Sequence, residues 1–307
     1  MNKAIVSGAN GFIGSALVRE LAARGIEVIA LDKEGHAGSL QEHSLVKFYS
    51  FDLANAEDAV CVIKERDADT FYHCAWAGAS RLAKMDTVLQ LQNAQWAVDC
   101  LLLAQELGCR RFVNVESIAE KAIAGALFSQ GNTLGLEHIY GSGKLAAHAM
   151  CKAAASNIGI DLVGAIIPEV YGAGEEGSGM INTIIKKCIA GESSQFDSGT
   201  WNCDFVYIDD VARALRLIGE KGKASCEYYI GSSDAKMMKE FLLELKGAVA
   251  PEVDFVFKDT PFSGLSQPLE DFDCSLLEKD TGFRAEISFG EGCRRIRDWW
   301  IQIMKGN

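Results

Sequence analysis

No apolar run in the sequence approaches the ~18 residues expected of a membrane span, so no bilayer-crossing helix is expected. Basic residues are few: 30 lysines and arginines stand against 42 aspartates and glutamates, a formal net charge of −12. Nucleic-acid binding needs a basic face that displaces counterions, and this balance excludes that class. There is no C-x-x-C pair and no clustered Cys/His spacing, so a structural zinc site is not expected and no metal is assigned. Internal repeats, low-complexity stretches and linkers are also missing, and no secretory leader precedes the apolar run that begins at Ala4. The ten cysteines therefore read as reduced core fillers of a cytoplasmic protein, not as a disulfide framework.

What remains is an ordinary globular composition, 49% apolar and 23% charged over 307 residues. Short apolar runs at 4–7, 27–31, 46–51, 70–74, 111–115 and 161–167 read as buried strands. Helical periodicity falls between them at 12–24, near 56–66, at 88–107 and at 139–156. Strands and helices alternating at this spacing give right-handed crossovers and a parallel sheet covered on both faces. Beyond 167 the order loosens. A Gly-rich loop at 171–179 leads into a helix at 180–190. Strands at 205–207 and 228–230 bracket a helix at 209–218, and a last helix carries Trp299 and Trp300. The expected fold is α/β: a Rossmann-type doubly wound parallel sheet with a smaller, interleaved C-terminal lobe.

The first strand runs into Gly8-Ala9-Asn10-Gly11-Phe12-Ile13-Gly14. In a strand–turn–helix unit the first glycine permits the tight turn and the second lets backbone amides approach a pyrophosphate. The third allows close helix–strand packing, and the helix N-terminus favours negative charge. Three glycines can also do no more than make a tight turn. Asp32, eighteen residues after Gly14, ends the second strand, where its carboxylate can accept bonds from ribose hydroxyls. That carboxylate would repel a 2′-phosphate, which makes NAD the first expectation, while Lys33 beside it leaves NADP open. On this reading 1–167, with about 203–220, forms the NAD(P)-binding domain. Segments of about 168–202 and 221–307 form a substrate-binding lobe.

Tyr140 and Lys144 lie four apart on one helix and so share a face. A free tyrosine titrates near 10 and is a poor acid–base catalyst at neutral pH. A neighbouring ammonium and a nicotinamide cation both favour phenolate, and Lys144 can also hold the nicotinamide ribose. The bland alternative is a surface pair. Ser117 ends the run Arg111-Phe112-Val113-Asn114-Val115-Glu116, where its hydroxyl can hold a substrate oxygen or simply form a turn. His148, one turn beyond Lys144, reads as structural. Trp76 and Trp201 offer flat walls for a sugar or base, or belong to the core.

Taken together, these residues resemble the extended short-chain dehydrogenase/reductase family of nucleotide-sugar epimerases, dehydratases and ketoreductases. The likeness runs through Asp52-Leu53, His73-Cys74-Ala75-Trp76-Ala77, Asn93, Ser117, Tyr140 and Lys144. It continues in Pro168-Glu169-Val170-Tyr171-Gly172, Asp204–Val211 by numbers 204–211, and Asp273-Cys274-Ser275-Leu276-Leu277. It implies that Asp52 and Leu53 border the adenine, that Cys74, Ala75 and Trp76 line the cofactor, that Asn93 sits near its phosphate and ribose, and that Pro168 borders the nicotinamide. It also implies a homodimer built through helices 88–107 and 139–156, with a sugar or nucleotide sugar as substrate. Ser117, Tyr140 and Lys144 would be the catalytic triad of an epimerase or 4-ketoreductase, with Trp76 and Trp201 beside the substrate. Reduction of a smaller carbonyl compound, or dinucleotide sensing without turnover, are the alternatives.

Four departures matter. Ile118-Ala119 stands where dehydratases of this family carry an Asp-Glu pair, which disfavours water expulsion. Glu116 replaces a small hydroxyl residue. Cys203 replaces a common pyrophosphate-binding arginine, and Ser263 falls near a second. Charge for a diphosphate would then come from Arg81, Lys84 or Arg213, or the substrate is smaller.

Overall fold

The computed structural model describes residues 1–33, 43–79, 81–130, 134–175, 179–260, 262 and 264–306, so Ser263 lies outside the described residues. The chain divides into two compact units. The first comprises Met1–Ile167, Ala212–Tyr229 and Leu276–Phe283, and the second Pro168–Val211, Ile230–Ser275 and Arg284–Asn307.

In the first unit, β1 (Lys3–Ser7), α1 (Phe12–Ala23), β2 (Glu27–Asp32) and β3 (Val46–Ser50) follow the expected alternation. A short helix α2 (Ala59–Val62), β4 (Thr70–His73), α3 (Thr87–Glu106), β5 (Arg111–Ser117), α4 (Ile118–Ala126), α5 (Ile139–Ile158) and β6 (Asp161–Ile167) come next. Seven strands pair in the order β3-β2-β1-β4-β5-β6 and then β11 (Glu227–Tyr229), every neighbouring pair parallel. The order reverses between β1 and β4, the point at which a doubly wound sheet opens a crevice at its strand C-termini. Both faces are covered, so the middle of the central strand β1 is wholly apolar and buried: Ala4, Ile5 and Val6 are each 0% exposed.

On one face, α3 and α5 lay Ala94, Ala97, Leu101, Ala104, Ala147, Cys151 and Ala155 against Ile5, Phe71, Phe112 and Leu162. The small side chains on both helices allow a close approach to the sheet. The helix expected near 56–66 is much shorter. A 3-10 turn at Leu53–Asp58 breaks at Asn55, whose φ of −131° and ψ of 45° are not helical, and only Ala59–Val62 continues as α-helix. The chain is extended again at Ile63, within a β-branched stretch that loses rotamer freedom in a helix.

The second unit contains β7 (Glu169–Tyr171), α6 (Met180–Ile189), β8 (Ser194–Phe196), β9 (Asn202–Cys203) and β10 (Phe205–Tyr207). Further along come β12 (Lys236–Met237), α8 (Met238–Val249), β13 (Phe255–Phe257) and α10 (Phe289–Gly306). Its strands form three pairs, β7 with β10, β8 with β13 and β9 with β12. Its core is aromatic: Phe241 lies 5.0 Å from Phe205 and 4.8 Å from Phe289, and Tyr171 lies 5.1 Å from Phe289. The chain passes between the units within α7 (Ile208–Lys221), and α9 (Ser275–Thr281) belongs almost wholly to the first. All ten cysteines are free thiols, six of them buried. No helix among the described residues is long and apolar enough to cross a membrane.

Candidate functional site

The glycine loop is a packed device as much as a flexible one. Gly8 turns the chain at φ +72°, and a Cβ there would sit 2.7 Å from the backbone N and Cα of Ala75. A Cβ on Gly14 would overlap the Gly8 carbonyl oxygen and lie 2.8 Å from its carbon. Only hydrogen fits at either place, so the start of α1 seats directly on the turn. Backbone bonds tie the turn down: Gly11 N–H donates to Gly8 O at 3.0 Å and Ala9 N–H to Leu31 O at 3.2 Å. The first intrahelical bond runs from Ser15 N–H to Gly11 O, so the amides of Phe12, Ile13 and Gly14 have no acceptor within the helix. Such a helix end favours negative charge.

Asp32 holds the loop from the next strand. Its Oδ2 accepts Asn10 N–H at 2.8 Å and its Oδ1 accepts Lys33 N–H at 2.7 Å, which leaves further lone pairs for hydroxyl donors. Lys33 Nζ instead pairs with Asp52 Oδ2 at 3.2 Å. Asp52 caps the following turn through Ala54 N–H, and that bond, aided by Lys33, holds its carboxyl below the usual range. Leu53 packs on the core below.

Beyond β4, Cys74 N–H donates to Ser7 O at 3.1 Å, so the Cys74–Ala77 segment runs on beside the glycine turn. Burial pushes the Cys74 thiol up to about 12, leaving it neutral. His73 is 2% exposed and bonds Ser7 Oγ at 3.0 Å. Burial, then the nearby Lys144 charge, holds its imidazole down at about 3, so it too is neutral.

Asn93 is bonded to the segment beside the glycine turn. It is 1% exposed, its Oδ1 accepts Ala77 N–H at 2.8 Å, and its Nδ2 donates to Ala77 O at 2.8 Å and Leu89 O at 2.9 Å. Both amide hydrogens are spent, so Asn93 holds the Ala77 peptide in place and offers no donor to a phosphate or ribose.

Tyr140, Lys144 and Trp76 come together. The Tyr140 and Trp76 rings meet edge to face with centroids 6.1 Å apart. Lys144 Nζ sits 4.0 Å above the Trp76 ring and donates to Val115 O at 2.8 Å. Trp76 is fixed in turn by Nε1–H donation to Gln90 Oε1 at 2.8 Å. Burial draws the Lys144 ammonium down to about 8, while Glu120 and Glu116 pull it upward. Lys84 lies 4.9 Å from the Tyr140 ring centroid.

The two glycines inside Tyr140-Gly-Ser-Gly-Lys144 make this closeness possible. A Cβ on Gly141 would be 2.9 Å from Ile123 Cγ1, and one on Gly143 3.0 Å from Gln90 Cβ and O, so α5 begins wedged between α4 and α3.

Ser117 is the last residue of β5 and the N-cap of α4. Its Oγ accepts Ala119 N–H at 3.3 Å, while Glu120 Oε1 accepts Ser117 N–H at 2.9 Å, forming a capping box. The hydroxyl proton remains a donor. The turn-forming and functional readings of this serine are therefore compatible.

Trp201 is in the second unit, stacked on Phe262 with ring centroids 4.3 Å apart and planes at 15°. Pro168 opens that unit just before β7. Cys203 is buried in β9, with its thiol 3.8 Å from Lys236 O. Arg213 lies 4.8 Å over the Phe283 ring within the first unit. Of the candidate cations, Lys84 stands over the Tyr140 ring, and the Arg81 side chain lies outside what the structure describes.

A group missed at first reading is Glu120, with Glu116, His148 and Glu227 behind it. Ligand atoms of Glu116, His148 and Glu227 all lie within 4.8 Å of one another. The spacing Ser117-x-x-Glu120 was the available signal, because it spells a capping box.

A glycine turn at the C-terminal end of β1, beside the point where the order of a parallel sheet reverses, defines a dinucleotide-type α/β fold. The chain belongs to the NAD dependent epimerase/dehydratase family, whose model matches residues 4–231. A probable dTDP-glucose 4,6-dehydratase of Sinorhizobium fredii is 24% identical over 335 residues, covering 97% of this chain and 92% of that protein. The solved UDP-glucose 4-epimerase of Thermotoga maritima, crystallised with UDP-glucose, shares the fold at a TM-score of 0.81 and 19% identity, covering 98% of this chain and 99% of that one. The UDP-glucuronic acid 4-epimerase of Bacillus cereus, in complex with UDP-glucuronic acid and NAD, does so at 0.79 and 21%, covering 98% and 99%.

Proposed function

We propose that the chain is an NAD-dependent enzyme that transfers hydride to and from a carbon of a sugar, in the first instance a nucleotide sugar, as an epimerase or a 4-ketoreductase. The observation that carries this is the packing of both Tyr140 and the buried Lys144 against Trp76. A sensor that only binds has no use for a buried lysine beside a tyrosine.

The loop geometry fits a dinucleotide. The Gly8–Gly14 seat brings the unpaired amides of α1 up to a pyrophosphate, and Asp32 offers a carboxylate to ribose hydroxyls without room for a 2′-phosphate charge. Bound there, NAD would accept a hydride from the sugar and return it. Tyr140 would take the hydroxyl proton as the sugar is oxidised and give it back on reduction. Ser117 would hold the same oxygen by its hydroxyl proton. Lys144, fixed on Val115 O, would favour phenolate at Tyr140 and grip the nicotinamide ribose. Ile118 and Ala119, the first residues of α4, supply no acid or base, which supports a reaction without water loss.

Purification without added cofactor, followed by acid denaturation and mass spectrometry, tests this directly. NAD(H) near one per chain is the result expected of an epimerase, which keeps its cofactor between the two hydride transfers. An empty protein that binds NADH or NADPH reversibly would point to the ketoreductase. Failure to bind any of these would overturn the proposal.

The same reading includes a homodimer in the cytoplasm. Free thiols throughout suit a reducing compartment. On α3, Val88, Leu91 and Leu102 are 66%, 60% and 39% exposed at helical spacing, and on α5 Met150 is 42% exposed, an apolar surface suited to a matching pair of helices. Light scattering should give twice the chain mass. A monomer at micromolar concentration would remove the dimer from the proposal.

A further inference from the structure

Behind the strand end that carries Ser117 lies a buried charge cluster that the mechanism above does not use. His148 Nδ1 lies 3.1 Å from Glu120 Oε2 and 3.2 Å from Glu116 Oε2. His148 Nε2 lies 3.4 Å from Glu227 Oε1, which Lys152 Nζ also reaches at 2.9 Å. Glu116 and Glu120 are 2% and 3% exposed. Three carboxylates in so dry a place are costly unless cations compensate them.

His148 is the compensating group. The close approach of Glu116, then of Glu120 and Glu227, holds the imidazole charged well above neutral pH. Nδ1 carries one hydrogen for two carboxylates, and Glu116 Oε2 is left buried without a hydrogen-bond partner. Burial raises the Glu116 carboxyl to about 7, so it carries a proton for part of the time at neutral pH. Glu227, despite burial acting in the other direction, is held down at about 2 by His148 and Lys152.

Space for this cluster is made in the sheet itself. Gly164 of β6 pairs with Asn114 of β5 and Glu227 of β11. A Cβ there would overlap the Glu227 carboxylate and lie 2.7 Å from Glu116 Oε2. A glycine inside a central strand weakens the strand and marks a close approach.

Glu120 connects the cluster to Ser117, and its partner His148 stands one turn beyond Lys144 on the same face of α5, which places the Glu120 carboxylate on that face. One oxygen bonds His148, and the other accepts Ser117 N–H at 2.9 Å. The titratable groups that face Lys144 come from four elements: Glu116 from β5, Glu120 from α4, Cys151 from α5, and His73 and Cys74 from the end of β4. His73 and both thiols are neutral at pH 7. The two glutamates are the acidic groups among them.

We propose that Glu120 is a positioning residue for the hydride-transfer reaction: anchored by His148, its carboxylate fixes the Ser117 backbone and sets a negative charge behind the Lys144 ammonium. The inference rests on the reading of Ser117, Tyr140 and Lys144 given above. Burial alone pulls the ammonium toward its neutral form. Without the Glu120 charge more of Lys144 is discharged near neutral pH, and its support of phenolate at Tyr140 is lost.

The test separates charge from anchoring. Full-length protein labelled with [13Cε]lysine is titrated by NMR, and the Lys144 signal is identified by its absence in Lys144→Met. In Glu120→Gln the Lys144 midpoint is expected to fall by about half a pH unit or more, while the Ser117 amide keeps its hydrogen-exchange protection because Gln still accepts a bond. In Glu120→Ala both the midpoint and the protection are lost. Glu106→Gln, an exposed control on α3, should move neither. The pH above which NAD+ affinity declines should follow the lysine midpoint from wild type to Glu120→Gln. An unmoved midpoint in Glu120→Gln overturns the inference even if Glu120→Ala fails to fold. NAD+ titration of wild type reads the functional proposal separately: absence of binding overturns that proposal, whatever the lysine midpoint does.

Discussion

Tyr140→Phe is expected to lower turnover of a nucleotide hexose by about 10²–10⁴-fold, the usual worth of a positioned general acid or base. NAD+ affinity should change by about tenfold at most, which is all that the loss of one neutral hydrogen bond removes. The expectation follows from what surrounds the ring. Trp76 meets it edge to face, Lys84 lies over it, and Gly141 and Gly143 hold its helix against α4 and α3. These ring contacts remain in the variant, so the phenylalanine ring should keep its place. Steady-state kinetics of UDP-glucose and UDP-galactose interconversion, beside NAD+ titration calorimetry, reads both quantities. Full turnover in the variant would remove Tyr140 from the chemistry. A collapse of NAD+ affinity with unchanged chemistry would make it a binding residue only.

The contrast with Lys144 sharpens this. Lys144 is buried, bonded to a backbone carbonyl and stacked over Trp76. Its removal leaves Val115 O and the Trp76 face without a partner, so loss of activity in a Lys144 variant mixes chemistry with packing. Tyr140 gives the cleaner measurement.

The sheet was legible in the sequence because β1, β2, β4, β5 and β6 are short, mostly buried runs, a local pattern that burial on both faces enforces, and the edge strand β3 still carries Val46, Phe48 and Tyr49. The short α2 was not. Its helical composition is real, but the backbone of Asn55 leaves the helical region and divides the segment. The glycine turn was legible because the constraint is local: Gly8, Gly11 and Gly14 act within seven residues. Tyr140 and Lys144 share a helix face for the same reason.

The cluster around His148 was hidden for the opposite reason. Glu227 comes next to Glu116 only because β11 pairs with β6, a neighbourhood set by sheet order and not by sequence distance. Glu116 stood out as an unusual residue, yet nothing local could show that a glycine on the next strand makes room for it. Asn93 shows a third case, in which a place is legible and the bonds are not. A family resemblance places it near the cofactor, and only its three hydrogen bonds show that its amide hydrogens are already committed to Ala77 and Leu89.

Gly14→Ala is expected to weaken NAD+ binding by about 100-fold or more, equivalent to at least about 2.7 kcal/mol, and to cost about 1–3 kcal/mol of stability as an overpacked site. The new methyl would meet backbone and not a movable side chain: the Gly8 carbonyl, with Ala9 Cα at 3.1 Å. Relief requires α1 to lift from the turn or the turn to shift. Either movement disturbs the Gly11-to-Gly8 bond, the Ala9-to-Leu31 bond and the Asn10-to-Asp32 bond together. Those bonds aim the free amides and place the Asp32 carboxylate, so the pyrophosphate and ribose contacts should fail as one. Gly125→Ala in α4 is the control. No atom lies within 4 Å of its added Cβ and its φ is not positive, so it should be neutral or stabilising by about 0.4–1 kcal/mol. Urea unfolding and NAD+ calorimetry on both variants decide the matter. If Gly14→Ala loses stability but keeps NAD+ affinity, the glycine serves packing alone and the pyrophosphate must bind elsewhere. If it loses affinity far beyond its loss of stability, the close seat of α1 on the turn is what builds the dinucleotide site.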